Sequence, residues 1–167
     1  TGLAKNGAKA VWAVLSTFLQ RTYDQLSHDM ALNNQAGVVL VYSASINSMN
    51  DESHLGFFDI PFISHIPNFV YLAPVNKEEH LAMLEWAINQ NEHPVAIRVP
   101  VGSVVETGKE DKTDYSILNK NKVEKFGEQV AIFGVGNFYN LAEEVSEQLK
   151  LEHNIEATLV NPRFLTG

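Results

Sequence analysis

The sequence contains no cysteine. Disulfide cross-links, thiolate nucleophiles and thiolate metal sites are therefore excluded, and the composition is compatible with a reducing, cytoplasmic setting. Positive charge is also in short supply: 12 Lys and Arg against 20 Asp and Glu give a net charge of −8. No basic stripe or cluster occurs, which argues against nucleic acid and anionic membrane surfaces as partners. No apolar run approaches membrane-spanning length, and the first residues show no signal-peptide pattern. The 6 histidines include no pair at metal-ligand spacing, and His65, His80, His93 and His153 carry no functional argument. What is present is ordinary globular material. Of 167 residues, 45% are hydrophobic and 10% aromatic, enough for a core in one domain or one domain plus part of another. A metabolic or an interaction protein fits this balance.

The chain is organised around Val11 to Leu26. A short apolar run (Val11, Trp12, Ala13, Val14) stops at Leu15-Ser16-Thr17-Phe18, and an amphipathic helix follows with Leu19, Tyr23, Leu26 and Met30 on one face. This pattern predicts a buried strand feeding directly into a helix, the unit from which parallel α/β sheets are built. In such sheets ligands collect outside the carboxyl ends of the strands. Phe18, at the junction, is placed either to offer a ring face to a flat ligand or to serve as a core or staple residue.

Ahead of this unit, Thr1 to Gly7 reads as the tail of a helix capped at Gly7. Downstream, Asn33 to Gly37 makes a turn, and Val38 to Tyr42 is a second buried strand, β-branched and uncharged. A long polar loop follows, Ser43 to Asp59, of a length that is usually functional or disordered. Ile60-Pro61-Phe62 and Ile66-Pro67-Asn68 punctuate the chain before a short strand at Phe69 to Leu72. Asn76 opens a helix, with Glu79 completing a capping box and a buried stripe expected at Leu81, Leu84 and Ile88. Val95 to Val99 is a fourth strand. The alternation predicts an α/β fold: a mostly parallel sheet with helices on both faces.

Residues 103–123 read as a polar linker. A new strand, Gln129 to Phe133, then leads through Gly134-Val135-Gly136 into a helix with Phe138, Leu141, Ala142, Val145 and Leu149 on one face. Ile155 to Val160 is the next parallel strand. Tyr139 stands where a dinucleotide fingerprint would need its third glycine, so a tight strand-to-helix turn is the better reading of the glycines. An incomplete second α/β domain is expected from residue 124, its single β-α-β unit unable to bury its own sheet face. The chain is thus expected to begin inside something, and to be a fragment or one piece of a larger assembly.

Several stretches, in order along almost the whole chain, resemble a known family: Ser16 to Leu32 (STFLQRTYDQLSHDMAL), Ser53 to Asp59 (SHLGFFD), Ile66 to Asn68 (IPN), Leu72 to Glu79 (LAPVNKEE), Pro94 to Gly102 (PVAIRVPVG) and Asn161 to Leu165 (NPRFL). The family is that of the transketolases, and the branch most similar is 1-deoxy-D-xylulose-5-phosphate synthase. The resemblance implies a transketolase pyrimidine-binding domain over residues 1–102 and the start of a transketolase C-terminal domain over 124–167. It implies thiamine diphosphate as cofactor, with magnesium, and a transferase reaction on aldehyde or ketone groups. Phe18 would pack on the aminopyrimidine, with Ser16 and Arg21 of the same string as further cofactor-binding residues. His54 would be catalytic, handling protons on substrate oxygens; the alternative is a surface histidine in a polar loop. His28 and Asp29 also match family residues, but on a helix where packing or hydrogen bonding accounts for them.

Departures from the family pattern bear on the reaction. The glutamate that activates the cofactor would lie shortly before Thr1, and the Gly-Asp-Gly segment that holds magnesium and diphosphate belongs to a separate domain. A homodimer, or a complex with a diphosphate-binding domain or subunit, is therefore expected to complete the site. Where the synthase has Asp-Arg-Ala-Gly, this chain has Tyr42-Ser43-Ala44-Ser45; where it has Tyr-Pro-Arg-Gly, this chain has Val99-Pro100-Val101-Gly102. Those arginines grip the acceptor's phosphate through bidentate bonds that serine and valine cannot replace. Arg98 and Arg163 remain, the first within a strand and so read as structural. An active-site aspartate aligns with Asn50, a cofactor-pocket tyrosine with Leu15, and Asp51 and Glu52 are added charges. These changes argue against the synthase's own substrate pair. A catalytically degenerate subunit with an assembly or regulatory role is the alternative.

Overall fold

The computed structural model describes residues 1–46, 52–99, 102 and 104–166. A single helical turn, α1 (Gly2–Lys5), is closed by backbone bonds from Gly7 to Ala4 and from Ala8 to Leu3. Gly7 takes a φ of 81° there, the left-handed conformation that favours glycine at a helix end. The strand β1 (Val11–Leu15) then runs directly into α2 (Ser16–Leu19). β2 (Val38–Tyr42), α3 (Asp59–Ser64), β3 (Val70–Leu72), α4 (Lys77–Asn89) and β4 (Val95–Arg98) follow. The remaining elements are β5 (Lys122–Lys125), β6 (Val130–Phe133), α5 (Tyr139–His153), β7 (Ala157–Asn161) and β8 (Phe164–Thr166).

The main sheet has the order β1-β2-β4-β3-β8. The first four strands are mutually parallel and β8 runs antiparallel beside β3. Successive strand residues point to opposite faces. Val39, Val41, Tyr71 and Ala96 therefore pack with Leu19, with Leu26 and Met30 further along the helical stretch that follows β1, and with Ile63 of α3. Val38, Leu40, Val70, Val95 and Ile97 pack with Met83 and Ala87 of α4. Helices cover both faces, as the alternation predicts.

Four expectations are corrected. β1 is a strand but not a buried one: it lies at the sheet edge, and Val11, Trp12 and Leu15 are 47%, 41% and 38% exposed. An apolar run reports a preference for burial and not the number of neighbours that supply it. The helix after β1 is irregular, passing from α-helix (Ser16–Leu19) through a 3-10 turn (Gln20–Thr22) to a π-helix (Gln25–Ala31). The changed pitch keeps Leu19, Leu26 and Met30 in the core but turns Tyr23 outward, where its ring meets Phe62 edge-on at 5.3 Å. Ile60-Pro61-Phe62 does not interrupt structure but lies inside α3, with Pro61 in the first turn, where a missing N–H costs little.

The fourth correction concerns helix faces. In α4 the deepest residues are Glu79, Met83 and Ala87, whereas Leu81 is exposed and Leu84 and Ile88 only flank the core. In α5 the buried positions are Tyr139, Ala142 and Ser146, leaving Phe138, Leu141 and Val145 exposed. Tyr139 and Ala142 pack there with Val75, Leu159 of β7 and Ile132 of β6.

The segment expected as a linker carries contacts of its own. Tyr115 is fully buried against Trp86 and Phe164. The backbone N–H groups of Thr107 and Gly108 donate to the Glu78 carboxylate. Beyond it, β5, β7 and β6 form a second sheet, β7 parallel to β6 and antiparallel to β5. The turn after β6 is tight: a Cβ at Gly134 would stand 2.8 Å from the Tyr139 Cα, so only glycine fits.

Candidate functional site

The site is built where β1 ends. Leu15 is extended (φ −68°, ψ 137°) and Ser16 is the first helical residue, so the chain changes direction within one peptide unit. One helical step separates two opposite environments: Leu19 is fully buried, while Phe18 beside it is 37% exposed. The placement of Phe18 therefore favours a presented ring over a core residue. Ser16, two positions earlier, is buried, and its Oγ has no hydrogen-bond partner among the described residues.

The loop after β2 returns across this junction. The Thr17 hydroxyl donates to the Ser53 carbonyl at 3.2 Å, and the next side chain, His54, meets the Phe18 ring edge-to-face. The ring centroids are 5.3 Å apart at an interplanar angle of 85°. The Ser53 hydroxyl lies 2.8 Å from His54 Nδ1, and the Arg21 guanidinium carbon stands 5.4 Å from the centre of the Phe18 ring. Arg21 and His54 thus converge on the same ring from a 3-10 turn and a loop, 33 residues apart. A cation over an exposed ring contributes about 0.5–1 kcal/mol, enough to orient two side chains but not to hold a fold.

Phe18, Arg21 and His54 are brought into contact, and Ser16 lies at the head of the same helix. His28 and Asp29 are exposed on the π-helix, His28 facing Asp24 at 3.6 Å. Asn50, Asp51, Pro100 and Val101 lie outside the described residues. Among the described residues, no group of three or more His, Asp or Glu side chains is disposed to hold a metal ion. No described helix is long and apolar enough to cross a membrane.

Two buried polar clusters flank the junction, and the sequence indicates neither as a cluster. In the first, Arg98 at the end of β4 donates through Nε to Asp59 Oδ2 at 2.8 Å, and the Tyr71 hydroxyl donates to the same oxygen. Burial first, then the Asp59 charge, raises the Tyr71 pKa well above its usual value, so its proton stays in place. In the second, Glu79 accepts from the Val75 N–H, from Asn161 Nδ2 and from Arg163 Nε at 3.0–3.2 Å. Asn76 Oδ1 accepts from the Glu79 N–H, which is half of the expected capping box; the Glu79 side chain turns instead to the second sheet. Arg163, with a φ of 61°, also reaches toward Asp111 and the Tyr115 ring. Both remaining arginines are therefore buried and paired.

A mostly parallel sheet covered by helices on both faces, with an exposed ring at the junction of its first strand and helix, makes this an α/β module. Comparison with known proteins is specific. The family model for the transketolase pyrimidine-binding domain matches residues 1–105, and this chain belongs to the transketolase family. The 1-deoxy-D-xylulose-5-phosphate synthase of Dictyoglomus thermophilum is 40% identical over 164 residues, which cover 98% of this chain and 26% of that protein. Those of Halothermothrix orenii and Natranaerobius thermophilus are 39% and 38% identical, covering 99% and 98% of this chain and 26% of each protein. This chain spans about a quarter of the length of these relatives, 26% in each case. Among solved structures, a split gene transketolase described as an inactive beta4 tetramer superposes with a TM-score of 0.81 at 21% identity, over 96% of this chain and 51% of that one. A transketolase mutant from Pichia stipitis gives 0.79 at 15% identity, over 93% of this chain and 23% of its own. At these identities the likeness concerns the fold.

Proposed function

We propose that this chain supplies the aminopyrimidine side of a thiamine diphosphate site in a transketolase-like transferase that forms carbon–carbon bonds by ketol or acyl transfer. One observation carries the reading: an exposed Phe18 ring at the carboxyl end of β1, with Arg21 and His54 converging on it. The residues fit the cofactor on a second count. A buried Ser16 hydroxyl without a partner among the described residues is the kind of atom that a bound polar ligand satisfies. When bound, the cofactor supplies a thiazolium carbon that serves as nucleophile and electron sink. Phe18 stacks on the aminopyrimidine, Ser16 and Arg21 hold its surroundings, and His54 gives or takes a proton at a substrate oxygen.

Magnesium and the diphosphate are held by a separate domain, in a homodimer or in a complex with a diphosphate-binding chain, in the cytoplasm. Residues 1–102 are the pyrimidine-binding domain, 103–123 the connection and 124–167 the start of the C-terminal domain. Arg98 and Arg163 are committed to Asp59 and Glu79, so neither is available for a phosphate. With Tyr42-Ser43-Ala44-Ser45 where the synthase has Asp-Arg-Ala-Gly, these residues argue against the synthase's own small-molecule substrate pair.

The test is calorimetric titration of the assembly, this chain together with a diphosphate-binding domain, with thiamine diphosphate and magnesium. Phe18→Ala weakens binding, and undiminished affinity removes Phe18 from the site. His54→Ala loses turnover with little change in cofactor affinity; full turnover returns it to the surface. A second reading, a degenerate subunit kept for assembly or regulation, is favoured by the altered loop sequence from Ser43 to Glu52. It predicts an assembly that forms normally yet neither binds the cofactor through Phe18 nor turns over.

A further inference from the structure

We infer that Thr17 and Gly56 are the positioning residues that hold His54 against the Phe18 ring. The inference rests on the reading of this junction as the cofactor site and deepens it. His54 sits in a stretch without helix or strand, residues 53–57, so its placement cannot come from a backbone ladder. Among the described residues, two local contacts bear on it. On one side the Thr17 hydroxyl donates to the Ser53 carbonyl at 3.2 Å, tying the loop to the helix that carries Phe18 one residue later. On the other side Gly56, itself buried, is pressed on the end of β2. A Cβ built at Gly56 would stand 1.7 Å from the Ser43 carbonyl oxygen, 2.9 Å from its carbon and 3.2 Å from the Ser45 nitrogen. All three atoms are backbone, so no side chain can swing away to make room.

The two contacts fall one residue before His54 and two residues after it. Between them the imidazole takes the edge-to-face position at 5.3 Å. Ser53 adds a third restraint through its hydroxyl, 2.8 Å from His54 Nδ1, and Ser53 is itself held by Thr17. The backbone at Ser43 complements this arrangement: its φ of 51° turns the carbonyl region of β2's end toward the returning loop, where only a residue without Cβ can approach it. A loop residue that must present a proton-transferring ring gains from such pinning, because a displacement of roughly 1 Å can cost a hundredfold in rate.

The experiment compares Thr17→Val, Thr17→Ser and Gly56→Ala in the complete assembly. The first readout needs no cofactor: ring-proton shifts of selectively labelled His54 and Phe18, each displaced by the other's ring current. Thr17→Val and Gly56→Ala move both signals toward their unstacked positions, whereas Thr17→Ser, which keeps the hydroxyl, retains them. The second readout is kinetic. Thr17→Val lowers kcat roughly ten- to a hundredfold, with cofactor affinity changed less than about twofold, and Thr17→Ser recovers most of the loss. If Gly56→Ala fails to fold, the Thr17 pair decides. Unchanged ring-proton shifts in Thr17→Val overturn the pinning, whatever the activity. Shifts that collapse as expected, in an assembly whose cofactor affinity does not respond to Phe18→Ala, leave the pinning intact and overturn the cofactor reading instead.

Discussion

Replacing Asp59 by Asn tests how far one buried ion pair holds the carboxyl end of the main sheet. The Asp59 side chain is fully buried and that of Arg98 is 10% exposed, and their Nε–Oδ2 separation is 2.8 Å. A second, longer bond from the guanidinium reaches Oδ1 at 3.4 Å, and the Tyr71 hydroxyl donates to Oδ2. Asp59→Asn keeps the shape but leaves the Arg98 charge desolvated without a counter-charge. Removing one partner of a buried pair costs about 3–5 kcal/mol. For a chain of this size each kcal/mol lowers Tm by about 2–4 °C, so a fall of roughly 6–20 °C is expected in a circular dichroism melt. The double variant Asp59→Asn/Arg98→Met removes the stranded charge and recovers a large part of that loss. Tyr71→Phe removes a single charge-assisted bond and costs less, about 1.5–3 kcal/mol. The reasoning fails if Asp59→Asn melts within a degree or two of the parent. It fails equally if the double variant is less stable than the single one, for then the pair would not be the source of the cost.

The corrected face of α4 predicts an inversion of the sequence-based order: Met83→Ala, at a fully buried position, costs about 2–5 kcal/mol, whereas Leu81→Ala, at an exposed one, is nearly neutral in urea denaturation. The segment over α4 should loosen in acid. The Thr107 and Gly108 N–H groups hold Glu78 below its ordinary value of 4.5. For Asp111, burial pushes upward, but hydrogen bonds from Thr113 and Tyr115 outweigh it and leave the group below 3.8. Both carboxylates thus contribute stability that is present above their unfolded values of 4.5 and 3.8 and is lost as pH falls below these through the lower folded ones, the acid range from 4.5 downward. Hydrogen exchange at the amides of Thr107, Gly108 and Thr113 reads this directly, and Glu78→Gln removes the step at the first two. Protection that is flat across that range would contradict it.

Both the sequence and the fold bear on how the junction was legible. Val11 to Phe18 announced a strand ending in a helix because an apolar β-branched run and a 3.6-residue pattern are local signals, and a strand end in an α/β sheet is where ligands gather. The ordered matches from STFLQR onward then pointed to the transketolase family. Convergence was not legible. Nothing in residues 16–21 and 53–54 shows that Arg21 and His54 meet on one ring, since that depends on the path of the intervening chain. The deeper polar pairs were hidden for the same reason: Asp59 and Arg98 lie 39 residues apart, and Glu79 and Arg163 lie 84 apart.

By itself, the amino-acid sequence determined the alternation of strand and helix, the Asn76 cap on the Glu79 N–H, and the glycine turn before Tyr139, because propensity, capping and steric exclusion act over a few neighbouring residues. Tertiary structure alone decided that β1 stands at an edge, that β8 returns antiparallel beside β3, and that Met83 rather than Leu81 faces the core. Periodicity states that a residue has an apolar side, but which surface arrives to cover that side is set by packing among segments far apart in the chain.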